Sequence, residues 1–265
     1  LESLFANSFN VVGVFALTDL MASKKARSVF FDEFSEKTKI PLFKIDDINS
    51  KSTISQIKSL RADVILQLGW SQIFSKELIN LAPIGCIGIH ASLLPENRGG
   101  ASLNWALITG ATKWGVSLFY MSEKIDKGKI IARQEFSVED RDDIKTLHDK
   151  SDFATAKLLI ENLPKIFEGK EVGEVADYSK SSYLKARKPE DGLIDWKKSP
   201  KVLYNWIRGQ THPFPGAFSH ILGRKIYIWK SKLPDGKQKG NSDNSRAGEI
   251  LSIVSGEGIT ANTGN

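Results

Sequence analysis

The stretch GCIGIHASLLPENRGG, residues 85–100, opens as an uncharged apolar run and closes as a polar, glycine-rich loop. An apolar run bounded in this way suits a strand buried on both faces. It delivers His90 at its end, one of four histidines in the chain. Residues two apart on a strand share a face, so position 88 sits beside His90, and it is a glycine.

VVGVFAL (11–17) and DVILQLG (63–69) read as two further buried strands. RSVFFDEFSEKTK, SKSTISQIKSLR and SKELINL read as helices, with Ser50 or Ser52 capping the second, and PLFKI is a short strand between the first two. Such β-α-β-α alternation predicts an α/β fold with a mostly parallel sheet and helices on both faces. Downstream, SLNWALITG is a helix closed by Gly110. WGVSLFYM and KIIARQEFSV are strands close enough to pair antiparallel. A long helix follows from Asp142 to Lys170, with Ile144, Leu147, Ala154 and Leu158 at helical spacing and Pro164 expected to kink or end it.

The composition changes near Ser181, which places a domain boundary at 179/180. Beyond it come a helix capped by Ser199 and the short strands GAFSHIL, KIYIW and AGEILSIV, the pattern of a small β-barrel or sandwich. The polar PDGKQKGNSDNSR is expected to be a loop. The chain begins at Leu1 within a helix-like LESLFANS, which suggests that a first strand precedes it.

A single cysteine, Cys86, excludes an internal disulfide framework and fits a reducing cytosol. No apolar run approaches the roughly 20 residues a membrane span needs. The net charge of +6 favours anionic partners such as phosphates, nucleotides or RNA, although the lysines are scattered. Phosphate-loop, dinucleotide-fingerprint, nucleophile-elbow and zinc motifs are absent, and no Cys/His cluster offers a metal site.

In an open parallel sheet, ligands bind beyond the carboxyl ends of the strands, where His90 lies. An acid–base histidine needs an orienting carboxylate, and Asp126 in SEKIDKGKI is the best candidate, with Gly128 allowing close backbone approach. The competing readings are a strand-end histidine and an ordinary turn aspartate. Arg98 can clamp a phosphate or carboxylate, or tie its own loop through backbone carbonyls; the neighbouring glycines favour the tie. Asn104 and Trp105 open the next helix, and Trp105 fits the core better than a ligand platform.

Taken together, HASLLPENRGGASLNWALITGATKWGVSLFYMSEKIDKGKII resembles the signature region of the formyltransferases that use 10-formyltetrahydrofolate. KPEDGLIDWKKSPKVLYNWIRGQTHPFPGAF is similar to the start of the C-terminal domain of the transfer-RNA and aminosugar members. The resemblance implies a Rossmann-like catalytic domain, residues 1–179, followed by a small OB-like β-barrel, residues 180–265. It implies formyl transfer to a primary amine, with no metal. Carried onto this chain, the catalytic positions are His90, Asp126 and Gly88, the last standing where the family has asparagine. Asp126 would orient His90 and help remove the amine's proton through a water, and His90 would stabilise the tetrahedral oxyanion. The folate would lie along Leu68, Gly69, Trp70, Ile73, Ile125 and Asp126, and Ser92, Arg98, Asn104 and Trp105 would face the acceptor. A glycine at 88 removes one amide donor, with Asn104 or a water expected to compensate. LGW at 68–70, Asn104-Trp105 and HPFPGAF point to a nucleotide-linked aminosugar as acceptor. The alternatives are a transfer-RNA acceptor and, because of Gly88, a non-catalytic folate- or nucleotide-binding module. A homodimer is the one further partner considered.

Overall fold

The computed structural model describes residues 1–170, 172–233, 246–255 and 258–264. Its helices are α1 (Glu2–Ala6), α2 (Asp19–Ala22), α3 (Asp32–Thr38), α4 (Lys51–Ser59), α5 (Lys76–Ile79), α6 (Ser102–Ile108), α7 (Ile144–Phe167) and α8 (Pro200–Arg208). Its strands are β1 (Val14–Leu17), β2 (Leu42–Ile45), β3 (Val64–Gln67), β4 (Gly85–His90), β5 (Arg98–Gly99), β6 (Lys113–Tyr120), β7 (Ile130–Ser137), β8 (Tyr183–Leu184), β9 (Ala217–Ile221), β10 (Arg224–Ile228), β11 (Ile250–Val254) and β12 (Gly258–Ala261). The chain divides into two compact units that interleave in sequence. One holds residues 1–102, 113–137 and 149–185; the other holds 103–112, 138–148 and 186–265.

In the first unit β1 pairs parallel with β2, and a four-stranded sheet runs in the order β3-β4-β6-β7. The β3/β4 pair is parallel, and β6 and β7 continue the sheet antiparallel. Alternation along β4 sends Ile87 to one face and Cys86 to the other. Ile87 packs with Val116, Leu118 and the α7 residues Ala154, Leu158, Leu159, Leu163 and Ile166. Cys86 packs with Ile57 of α4 and with Phe74, Leu78 and Ile79 at α5. Helices therefore cover both faces, and each fully buried Leu or Ile contributes about 1.5–3 kcal/mol. The left-over faces of β4 are Gly88 and His90, next to Cys86 on the α4/α5 side.

Helix α4 starts where Ser50 accepts the Thr53 N–H at 3.2 Å, which selects Ser50 over Ser52 as the cap. Helix α3 is shorter than the expected segment, beginning only at Asp32. Pro164 lies inside α7 and does not end it. Only the last turn follows, so one missing N–H is the whole cost there, and the Pro164 carbonyl accepts Glu168 N–H at 3.0 Å.

In the second unit, α8 begins with Pro200 at its first position after Ser199, whose side chain makes no capping bond. Its C-terminal Arg208 is 7% exposed and acts as a hub. It donates to the carbonyls of Glu139 (2.7 Å), Asp140 (3.1 Å) and Asp142 (2.9 Å), and through Nε to Asn205 Oδ1 (2.9 Å). Strands β9/β10 and β11/β12 form two antiparallel hairpins. The expected small barrel is represented among the described residues by these two hairpins, and no closed barrel forms among them. The expected loop at 234–246 lies, apart from Arg246, outside the described residues.

Candidate active site

The site is built at the carboxyl end of β4. His90 is the last residue of that strand and pairs in register with Ser117 of β6. The chain beyond it is pinned from the neighbouring strands. Trp114 Nε1 donates to Ala91 O at 2.7 Å, Ser117 Oγ to Ser92 O at 2.7 Å, and Arg133 Nε to Leu94 O at 2.6 Å. Ser117 Oγ also accepts the Leu94 N–H at 2.9 Å. The loop cannot drift from the sheet without breaking these bonds, each worth about 1 kcal/mol net.

The pinned loop reaches Asn97, whose backbone is left-handed at φ 56°. Asparagine tolerates that region better than most residues. Its carbonyl lies 2.9 Å from His90 Nε2 and accepts a hydrogen bond from it. This places the proton of the neutral ring on Nε2 and leaves Nδ1 as an acceptor. Nδ1 lies 3.7 Å from Asp126 Oδ2, an ion-pair distance but too long for a direct hydrogen bond. The two side chains are 11% and 16% exposed, so the pair is largely desolvated yet reachable.

Asp126 also has a left-handed backbone, at φ 50°, in the loop joining β6 to β7. Its Oδ2 accepts the Gly99 N–H at 3.4 Å. The loop closes tightly at Gly128, where a Cβ would fall 1.4 Å from the Tyr120 carbonyl oxygen, so only glycine fits. The Gly128 carbonyl accepts the Tyr178 hydroxyl at 2.7 Å. Burial is the main force pushing the Tyr178 phenol up, with Arg98 opposing and Asp126 adding to it, so Tyr178 stays a donor. Lys76 and Glu123, 2.7 Å apart, tie this loop to the start of α5.

The expected residues fall into distinct groups. His90 and Asp126 are together. Gly88 shares their face, and the space beside it is filled: a Cβ there would lie 3.1 Å from Met121 Cγ and 3.1 Å from Phe119 Cζ. Leu68, Ile73 and Ile125 leave 41%, 66% and 50% of their surfaces bare. Gly69 is left-handed at φ 74° with open space around it. Trp70 is half-buried against the α4/α5 side of the core, its indole donating to Gln72 Oε1 at 3.1 Å. Ser92 is fully buried and donates to Glu96 O at 2.7 Å, so it shapes the loop. Arg98 donates to Ser181 Oγ at 3.0 Å and lies 5.9 Å above the Tyr178 ring, so its partner is a side-chain hydroxyl from a distant segment and not a backbone carbonyl of its own loop.

Asn104 and Trp105 belong to the second unit. Asn104 is buried, and its amide donates to Gly209 O at 2.8 Å. It is committed to holding α6 against the end of α8. Trp105 stacks under the Arg187 guanidinium at 5.1 Å, with Trp206 also in contact with Arg187 at 4.6 Å. Burial pushes the Arg187 guanidinium below its ordinary value. Both side chains thus have partners within this unit. Residues that the sequence reading passed over are Asn97, Tyr178, Ser181 and Ser182. The only local signal was an asparagine two positions before a glycine pair, a pattern suited to left-handed backbone.

Among the described residues, no group of three or more His, Cys, Asp or Glu gathers as a metal site, and no helix is long and apolar enough to cross a membrane. A desolvated histidine–carboxylate pair at the carboxyl edge of parallel strands can take and return a proton, as general acid–base chemistry requires. Residues 7–163 match the formyl transferase family, and residues 187–265 match the formyl transferase C-terminal domain. The chain belongs to the formyl transferase family.

Among its relatives is the bifunctional polymyxin resistance protein ArnA of Wigglesworthia glossinidia brevipalpis, 38% identical over 88% of this chain and 36% of that protein. Another is the methionyl-tRNA formyltransferase of Bacillus licheniformis, 35% identical over the whole of this chain and 82% of that enzyme. The fold is also that of HypX from Aquifex aeolicus, solved with tetrahydrofolic acid, with a TM-score of 0.69 at 19% identity. That likeness covers 94% of this chain and 41% of HypX. The chain thus spans well under half the length of ArnA and of HypX.

Proposed function

We propose that this protein transfers the formyl group of 10-formyltetrahydrofolate to the primary amine of a nucleotide-linked aminosugar. The observation that carries the reading is the convergence of two proton acceptors, His90 Nδ1 and Asp126 Oδ2, 3.7 Å apart. An amine that attacks a carbonyl must lose a proton, and this corner is built to receive one. The amine nitrogen bonds to the formyl carbon, whose oxygen becomes an oxyanion. The amine's proton passes to His90 Nδ1, and Asp126 holds the imidazolium that forms. The bond from carbon to the folate nitrogen then breaks, and that nitrogen takes the proton from His90. The products are a formamide and tetrahydrofolate.

In this scheme His90 is a proton carrier, because Nε2 is held by Asn97 and is not free to meet the oxyanion. Bare apolar side chains at Leu68, Ile73 and Ile125 suit the flat pterin and benzoyl rings of a folate. The aminosugar acceptor rests on LGW at 68–70, Asn104-Trp105 and HPFPGAF. Asn104 and Trp105 are already engaged inside the second unit, so the scheme gives them no contact with the acceptor. An OB-like arrangement of the C-terminal hairpins, the third part of the family expectation, rests on the match at 187–265.

One specific observation favours a second acceptor, the amine of methionyl-tRNA: the alignment with a methionyl-tRNA formyltransferase runs the whole length of this chain. The net charge of +6 suits it too. A formylation assay with 10-formyltetrahydrofolate and, in parallel, a panel of nucleotide-linked aminosugars and methionyl-tRNA decides between them. Turnover with a sugar is expected. Turnover with the tRNA alone, with steeply salt-dependent binding, would replace the first reading by the second. Folate binding without turnover of any amine would leave a binding module.

A further inference from the structure

The short strand β5 carries two backbone atoms that grip the catalytic pair. The carbonyl of Asn97, just before it, takes His90 Nε2 at 2.9 Å. The amide of Gly99 reaches Asp126 Oδ2 at 3.4 Å. What holds β5 itself is a segment more than 80 residues away in sequence. β8 pairs with it in parallel, Arg98 opposite Tyr183 and Gly99 opposite Leu184. The Arg98 N–H donates to Ser182 O at 3.1 Å, and the Gly100 N–H to Leu184 O at 3.2 Å. Ser182 then bonds Asn97 twice. Its Oγ accepts the Asn97 N–H at 2.8 Å and donates to Asn97 Oδ1 at 3.3 Å. The fit requires a glycine at 99: at φ 97°, a Cβ would lie 2.4 Å from Leu184 O and 2.7 Å from the Tyr183 ring.

We infer that Ser182 is a positioning residue for His90, acting through Asn97. Its hydroxyl fixes both ends of the Asn97 residue, the amide and the side chain. That holds the left-handed backbone at φ 56° that aims the carbonyl at Nε2. The carbonyl in turn decides which ring nitrogen carries the proton, and so which one is left to act as base. Ser182 touches neither the ring nor any reacting atom. The hydroxyl belongs to an exposed residue, so its removal leaves the core intact.

This inference rests on the formyl-transfer reading for its kinetic consequence, but not for its structural one. The experiment therefore compares wild type with Ser182→Ala and Ser182→Thr by two readouts. One is the ¹⁵N spectrum of the His90 ring in the protein without substrate. The other is the pH profile of kcat with 10-formyltetrahydrofolate and the best acceptor. Ser182→Ala is expected to mix the two ring tautomers, to change the pH profile, and to lower kcat about tenfold with KM for folate unchanged. Ser182→Thr, which keeps the hydroxyl, is expected to restore both. Wild-type ring signals and wild-type kcat in a folded Ser182→Ala protein would overturn the inference. A wild type without formyl transfer, in which Ser182→Ala still shifts the His90 signals, would remove the functional reading and leave the clamp standing.

Discussion

Gly88 and Phe119 face each other across β4 and β6, and a Cβ at 88 would meet the Phe119 ring at 3.1 Å, a contact that the ring must yield by a few tenths of an ångström to accept. The position that carries an asparagine in the resembled family is thus crowded by an aromatic ring and by Met121, each 3.1 Å from a Cβ built there. Overpacking of this kind costs about 1–3 kcal/mol. Gly88→Ala should lower the thermal midpoint by about 2–10 °C, since about 1 kcal/mol moves a protein of this size by a few degrees. Gly88→Asn alone should leave kcat at or below wild type, because Phe119 and Met121 crowd the start of its side chain. A gain approaching the about 10²–10³ that an oxyanion donor contributes elsewhere would show that Phe119 is no obstacle.

His90→Ala should lower kcat by about 10²–10⁴, with a smaller loss of stability from the vacated ring and the freed Asn97 carbonyl. Asp126→Asn isolates the charge, because asparagine also accepts the left-handed backbone that Asp126 adopts at φ 50°. It should reduce kcat without lowering the melting temperature. Steady-state kinetics beside a thermal melt tests both. Near-wild-type turnover in either variant would remove the pair from the mechanism.

Cys86 makes a prediction about pH. Burial pushes its thiol up from the ordinary 9.0 to about 12. Above pH 9 the unfolded chain releases this proton and the folded chain keeps it. The unfolded state then binds fewer protons, so stability falls as pH rises from about 9 to about 12. Urea midpoints should decline more steeply with pH in the wild type than in Cys86→Ala. The thiol should also resist aromatic disulfide reagents until the protein unfolds. Parallel pH dependence in the two proteins would sink the assignment.

Arg208 gathers three carbonyls on one nitrogen, Nη1, while its Nε holds Asn205 Oδ1, and a lysine ammonium has no second nitrogen to do both. Arg208→Lys should destabilise the protein by about 2–4 kcal/mol in urea melts, as buried carbonyls lose charged donors. Loss of less than about 0.5 kcal/mol would mean that water replaces the fork at no cost.

What could be read from the chain was what depends on neighbours in sequence. Uninterrupted apolar runs marked β3 and β4, and the spacing of Ile144, Leu147, Ala154 and Leu158 marked the buried face of α7. His90 followed from its place at a strand end. Asp126 needed only the short loop between two antiparallel strands. The rest depends on contacts that no local pattern carries. The β5–β8 pairing joins residues 98–99 to 183–184, in a segment whose polar composition reads as linker. The fate of Asn104 was set by Gly209, a backbone carbonyl more than 100 residues on. The filling beside Gly88 was invisible because Phe119 reads as an ordinary strand residue until its register is known.

The grip on His90 and Asp126 is made by a carbonyl at 97 and an amide at 99, atoms that every non-proline residue possesses. A substitution at either position therefore acts on the pair only through the backbone it permits: a left-handed turn at 97 and, at 99, a conformation that leaves no space for a Cβ.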